Sequence, residues 1–211
     1  MSIGTILRGR ALRLLALPFV TAVGIAGPAW AQASGAAIPI TAQADIGPSS
    51  NSGNRGVLGV NIASGNNNQQ AGAIVIAEGH AALSSGAVVQ FLDSPNSGGS
   101  ASAASIGDGA FSAGNGLASV NVAAGNDNQQ ANLALFGLGT SLATSDALLA
   151  QVRGAPEIEN NQTVANRHDD TAVLAPSAFG DSRGLMQVNL TAGERNSSAN
   201  IFTLTVSAGG E

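Results

Sequence analysis

The sequence of 211 residues carries 13 acidic against 8 basic side chains, a formal charge of −5, and contains no lysine, tyrosine or cysteine. Dispersed arginines in an acidic chain give no electrostatic footprint for nucleic acid. The lack of cysteine removes disulfides and thiolate metal sites. Aromatics make up 3% of the chain, glycine occurs 28 times, and much of the apolar fraction is alanine. Alanine burial yields little transfer energy and ordering glycine is entropically costly, so packing alone is a weak source of stability here.

In chain order the first element is a leader. Arg8, Arg10 and Arg13 precede an apolar run from Leu14 to Ile25, then Pro28 and the small-residue site Ala29-Trp30-Ala31. This pattern predicts a signal peptide over 1–31, cleaved after Ala31 and exported through the Sec pathway. The run falls short of the ~20 residues a membrane-spanning helix needs. A flexible lead is expected over 32–52, followed by repeat 1 (53–78), linker 1 (79–113), repeat 2 (114–137), linker 2 (138–178), repeat 3 (179–206) and a tail (207–211). Linker 1 holds SPNSGGSASAAS at 94–105, a flexible composition. In linker 2, Leu142, Leu149 and Val152 fall near one helical face beside Leu148, with Thr144 or Ser145 as caps, predicting a helix over 141–153.

The repeats carry the main signal. They read GVLGVNIASGNNNQQAG from Gly56, GLASVNVAAGNDNQQAN from Gly116 and GLMQVNLTAGERNSSAN from Gly184. Six positions are identical in all three copies: Gly56/Gly116/Gly184, Val60/Val120/Val188, Asn61/Asn121/Asn189, Gly65/Gly125/Gly193, Asn68/Asn128/Asn196 and Ala71/Ala131/Ala199. Gln69-Gln70 recurs as Gln129-Gln130 and becomes Ser197-Ser198 in the third copy. Each copy opens with period-2 alternation, as in Leu58, Val60 and Ile62 against Gly59 and Asn61, which predicts a strand. A Gly/Asn-rich turn and a second extended stretch follow.

The fold class predicted is therefore all-β: stacked strand–turn–strand repeats of β-solenoid or cross-β type, with flexible or partly helical linkers. Strands about 4.8 Å apart let identical amides hydrogen-bond in ladders, so Val60, Val120 and Val188 stack, as do Asn61, Asn121 and Asn189. The expected self-assembly ladder further includes Gly65, Asn68, Gln69, Gln70, Ala71, Gly125, Asn128, Gln129, Gln130, Ala131, Gly193, Asn196 and Ala199. Because only the repeats join alternation, low charge and ladder-forming amides, deleting 116–132 is expected to abolish assembly and deleting 141–153 to alter it modestly.

At these residues the sequence resembles the Fap-type functional amyloid subunits, exported proteins with a leader and three similar repeats parted by variable linkers. The resemblance covers about 17 residues of each repeat and the layout. It implies passage through a dedicated outer-membrane pore, assembly into extracellular cross-β fibrils that support biofilm, and a stacked β-solenoid subunit. Members that form the main fibre end in Cys-x-Cys, whereas these last residues read TLTVSAGGE. Repeat 3 also departs at Glu194-Arg195 and Ser197-Ser198. Major and minor subunit roles thus both stay open.

Competing sites are thin. His168-Asp169-Asp170 with Glu157 and Glu159 reads as a solvated loop, lacking metal-ligand spacing. His80 stands alone. IGDGAFSAGNG at 106–116 faintly resembles a glycine-aspartate calcium repeat, but only once and out of period. No nucleophile elbow or phosphate loop is present. The expectation is a non-enzyme with no cofactor, no metal, no nucleic acid and no small-molecule substrate. Its partner is itself, with a sister repeat protein and a secretion pore as further partners. The alternatives are a non-polymerising surface adhesin, an accessory or nucleator protein of the same fibre system, and, more remotely, a periplasmic binding module.

Overall fold

The computed structural model describes residues 19–26, 42–92, 101–154 and 170–208, and these form ten strands and no helix. In order they are β1 (Phe19–Ala26), β2 (Ala42–Ile46), β3 (Arg55–Ser64), β4 (Gln69–Leu92), β5 (Ser102–Ile106), β6 (Asn115–Ala124), β7 (Gln129–Arg153), β8 (Thr171–Leu174), β9 (Arg183–Ala192) and β10 (Ser197–Ser207). They build three parallel sheets, β2-β5-β8, β3-β6-β9 and β1-β4-β7-β10. One rung is a β2-like strand, a β3-like strand and a β4-like strand. Three rungs stack into a solenoid.

The register follows from the repeats. Asn61 lies beside Asn121, which lies beside Asn189, and Gln69 beside Gln129 beside Ser197. Pairing continues through the turns, with Gly125 N donating to Ser64 O and Gln129 N to Asn196 O. Matching residues are 60 positions apart between the first two rungs, as in Asn115 with Arg55, and 68 apart between the last two, as in Asn115 with Arg183. Seven of the eight added residues fall between β7 and β8, and one falls within β7 between Gly139 and Leu142, where the register slips by one.

β4 and β7 each fold back on themselves. Gln90 Nε2 reaches Gln69 O at 3.1 Å, although a straight strand would place residues so far apart in sequence roughly 70 Å from each other. The reversal lies where the register slips between Gly79 and Ala81. A Cβ on Gly139 would sit 1.8 Å from Leu142 O, so only glycine admits the bend in the second rung. Each strand is thus an inner limb (69–79, 129–139) and an outer limb (81–92, 142–153).

The solenoid has four layers in cross-section. The β2-type strands pack on the Val60/Val120 side of the β3-type strands, forming an apolar core of Ala42, Ala44, Ile46, Ala104, Ile106, Val120 and Val122. Phe111 and Phe179 stack at the corner with centroids 4.9 Å apart. The outer limbs close a second core, where Val88, Ala147 and Leu149 meet Val75, Leu133 and Leu135. Between the two cores lies an amide layer.

Three expectations change. Residues 141–153 form a strand, because pairing with 81–92 overrides the leucine spacing. Ser84 and Ser145 hydroxyls lie 2.6 Å apart, Gln151 Nε2 donates to Gln90 Oε1 at 2.6 Å, and Leu149 points inward while Leu142, Leu148 and Val152 stay exposed. Within the lead expected to be flexible, Ala42–Ile46 is β2, its alternate residues buried. Linker 1 supplies the whole outer limb 81–92 and β5. SPNSGGS at 94–100, and Glu157, Glu159, His168 and Asp169, lie outside the described residues.

Candidate functional site

The amide layer is built from positions that alternate away from both apolar cores. Asn121 is fully buried; its Nδ2 donates to Asn61 Oδ1 at 2.9 Å and to Ala71 O at 2.9 Å. Its Oδ1 accepts from Asn189 Nδ2 at 2.9 Å and Asn132 Nδ2 at 3.0 Å. Every hydrogen-bonding direction of this amide is used, half along the stack and half across it. Gln70 Nε2 donates to Gln130 Oε1 at 2.8 Å and to Ile62 O at 2.7 Å, so this rung also ties one layer to the next. Gln129 Nε2 donates to Gln69 Oε1 at 3.2 Å on the outer side.

Asn68, Asn128 and Asn196 perform a different task at the turn. Asn68 Nδ2 donates to Ser64 O within its own turn and to Gly125 O one rung on. Asn128 repeats this toward Ala124 O and Gly193 O, and Asn128 N donates to Asn68 Oδ1 at 3.0 Å. A buried carbonyl left unpaired costs about 1–3 kcal/mol, which these side chains avoid. Gly125 has φ of 103°, and an added Cβ would lie 2.1 Å from Gly193 O. Val120 and Ala131 are each fully buried, one in each apolar core.

The third rung differs at its amides. Ser198 Oγ donates to Asn189 Oδ1 at 2.6 Å, and Asn200 Nδ2 reaches the same oxygen at 3.0 Å. Ser197 Oγ donates to Gln151 Oε1 at 2.6 Å. Asn61, at the other end of the stack, is exposed. At the turn, Asn67 Nδ2 donates to the buried Asp127 at 2.9 Å. Arg153 Nη1 donates to Arg195 O. Burial, and then the Arg195 charge, lower the Arg153 pKa, while Asp127 opposes the shift.

Several participants were not predicted: Gln90, Gln151 and the β2-type layer lie outside the 17-residue repeats, and Asn132, Gln187 and Thr191 lie within them at positions where the three copies differ. A signal existed in Ala82/Ala143, Ser84/Ser145 and Gln90/Gln151, which recur at nearly the repeat spacing within the linkers. Of the weaker candidates, His80 Nδ1 contacts Thr140 Oγ1 at 3.0 Å near the bend, and Asp108 accepts from Ser177 Oγ at 3.0 Å. Among the described residues no three His, Cys, Asp or Glu side chains group as metal ligands.

Like-on-like amides inside a parallel stack, with both ends left as sheet edges, define a cross-β repeat protein. The chain belongs to the functional amyloid protein FapB/FapC family, whose profile matches residues 26–207. No solved structure gives a significant match. Membership makes this a structural protein rather than an enzyme, in a family that assembles into extracellular fibrils.

Proposed function

We propose that the chain is exported by the Sec pathway, loses residues 1–31, and polymerises head to tail. The third rung of one copy (β8, β9, β10) receives the first rung of the next (β2, β3, inner limb of β4). One observation carries the reading: the two ends bear the same register, with Asn61 exposed on the first rung and Asn189, its side chain buried, in the equivalent place on the last. In the Asn121 ladder the donors run from each rung to the one before, Asn189 to Asn121 to Asn61. The amide of Asn61 in the next copy therefore continues the series onto Asn189. Open parallel edges are templates for pairing, and the stack has no rung at which this logic ends. Purified 32–211 should form thioflavin-positive fibrils unaided, and secreted material should begin at Gln32 by mass spectrometry. Persistently soluble protein, or retained Met1, contradicts the corresponding half.

A second reading makes the chain a minor, nucleating subunit beside a sister repeat protein. Ser198 supports it, because its hydroxyl takes the Asn189 oxygen that the next amide would use. Restoring glutamines with Ser197→Gln and Ser198→Gln together should then speed elongation several-fold. An unchanged elongation rate removes the support for this second role.

A further inference from the structure

The outer limbs form a sheet that stops one strand early. Residues 81–92 and 142–153 pair with each other and cover the inner limbs, leaving Leu133 and Leu135 fully buried. β10 pairs with β7 only from Gln129 to Gly139, and among the described residues no strand lies over it as an outer limb. The consequence is visible residue by residue. Ser197, Ala199, Ile201 and Thr203 are all exposed, Ile201 at 52%, whereas its register partner Leu133 is at 0%. The third-rung edge of 142–153 also has no strand partner among the described residues. Together these make a trough with a hydrogen-bonding wall and a floor whose apolar centre is Ala199 and Ile201, flanked by Ser197 and Thr203.

At the opposite end the same sheet shows what such a position accepts. β1 lies parallel on the outer limb of β4, with Phe19 beside Leu83 and Ala26 beside Gln90. Strand addition in this orientation is therefore compatible with the outer-limb backbone. In the proposed stack the next copy's residues 81–92 lie two strand spacings, about 10 Å, beyond residues 142–153, leaving room for one strand. If 1–31 are removed, β1 is lost from that place. The ten residues 32–41 then precede β2, close in number to the nine (93–101) between Leu92 and Ser102.

We propose that this vacant outer-limb position, over β10 and along 142–153, is a docking site for an extended segment of another protein, added as a parallel strand. The two existing limbs give its chemistry. Inward positions are small near the bend (Ala82, Ser84, Gly86; Ala143, Ser145, Ala147), branched in the middle (Val88; Leu149) and amide near the turn (Gln90; Gln151). Main-chain bonds supply affinity and the alternate side chains specificity, as in other strand additions. The absence of the limb in the processed chain rests on the export reading, whereas the trough itself does not.

The test uses 32–211, both as soluble chain and as fibrils, with a fluorescent peptide of residues 81–92. One peptide should bind per chain, and exchange of the 142–153 amides that point away from 81–92 should slow at least tenfold. Ile201→Asp, which charges the floor, should weaken binding at least tenfold. Leu148→Ser, on the solvent side of the limb, should leave it unchanged, and a peptide with Val88→Pro should not bind. Normal fibrils that take up no peptide overturn the docking site while leaving head-to-tail stacking intact. Protection, in fibrils alone, of the 142–153 amides that point away from 81–92 would also overturn it, because another part of the same chain then fills the trough. A peptide of residues 19–26 that binds while the 81–92 peptide does not overturns the assigned chemistry. If no fibrils form, the soluble chain decides the matter, since the floor and the wall of the trough belong to one molecule.

Discussion

The six positions shared by all repeats have separable physical reasons. Val120 and Ala131 fill the two apolar cores, Asn121 and Asn128 satisfy polar groups between them, and Gly116 and Gly125 allow rungs to approach. A Cβ on Gly116 would lie 2.1 Å from Gly56 O, as close as that on Gly125 to Gly193 O. Gly125→Ala should therefore destabilise the fold by more than about 2 kcal/mol, combining a left-handed φ with a backbone overlap. The check is a shift to lower denaturant midpoint in equilibrium unfolding of the soluble chain. Asn121→Asp keeps the shape but removes the donor to Asn61 and buries a charge. Burial raises a carboxyl pKa, so the cost is greatest at neutral pH and is relieved as pH falls through that raised value. Assembly should be much slower than wild type at pH 7, with the gap narrowing near pH 4. Indistinguishable kinetics at pH 7 would show that the amide contributes nothing.

Among elements, the strand–turn–strand unit was readable because Leu58, Val60 and Ile62 alternate with polar residues and the same turn recurs three times. The outer limbs were not. Leu142, Leu148, Leu149 and Val152 suit a helical face as well as a strand, and local sequence cannot decide between them. What decides is a second copy of the limb at 81–92, which presents serine to serine and glutamine to glutamine. The β2-type strands were missed for a related reason. Their alanines and serines look like linker composition until Ala44 is placed beside Ala104, both buried. This revises the division of labour: residues 141–153 cover Leu133 and Leu135 and are structural. Their deletion should abolish cooperative unfolding and assembly, as deletion of 116–132 should. Leu135→Ala should cost about 2–5 kcal/mol, the range for emptying a filled core site, read as the change in unfolding free energy. A cost below about 1 kcal/mol would mean that the outer limb does not seal that core.

At the scale of the molecule, three rungs make a block whose top and bottom present matching edges in the β2-type, β3-type and inner-limb layers, so growth through these layers needs no new kind of interface. This arrangement differs from a flat amyloid, in which every residue stacks on itself in the next chain. Here Asn61 stacks on Asn121 and Asn189 of its own chain before the next copy is met. Identical residues of neighbouring copies are then three rungs apart, about 14 Å. The absence of native cysteine makes this distance accessible through one introduced thiol. Val57→Cys, at a position 60% exposed on β3, carries a spin label into fibrils of 32–211. The account predicts a dipolar-broadened spectrum with neighbouring labels about 14 Å apart. An exchange-narrowed single line, requiring labels at about 4.8 Å, would contradict it.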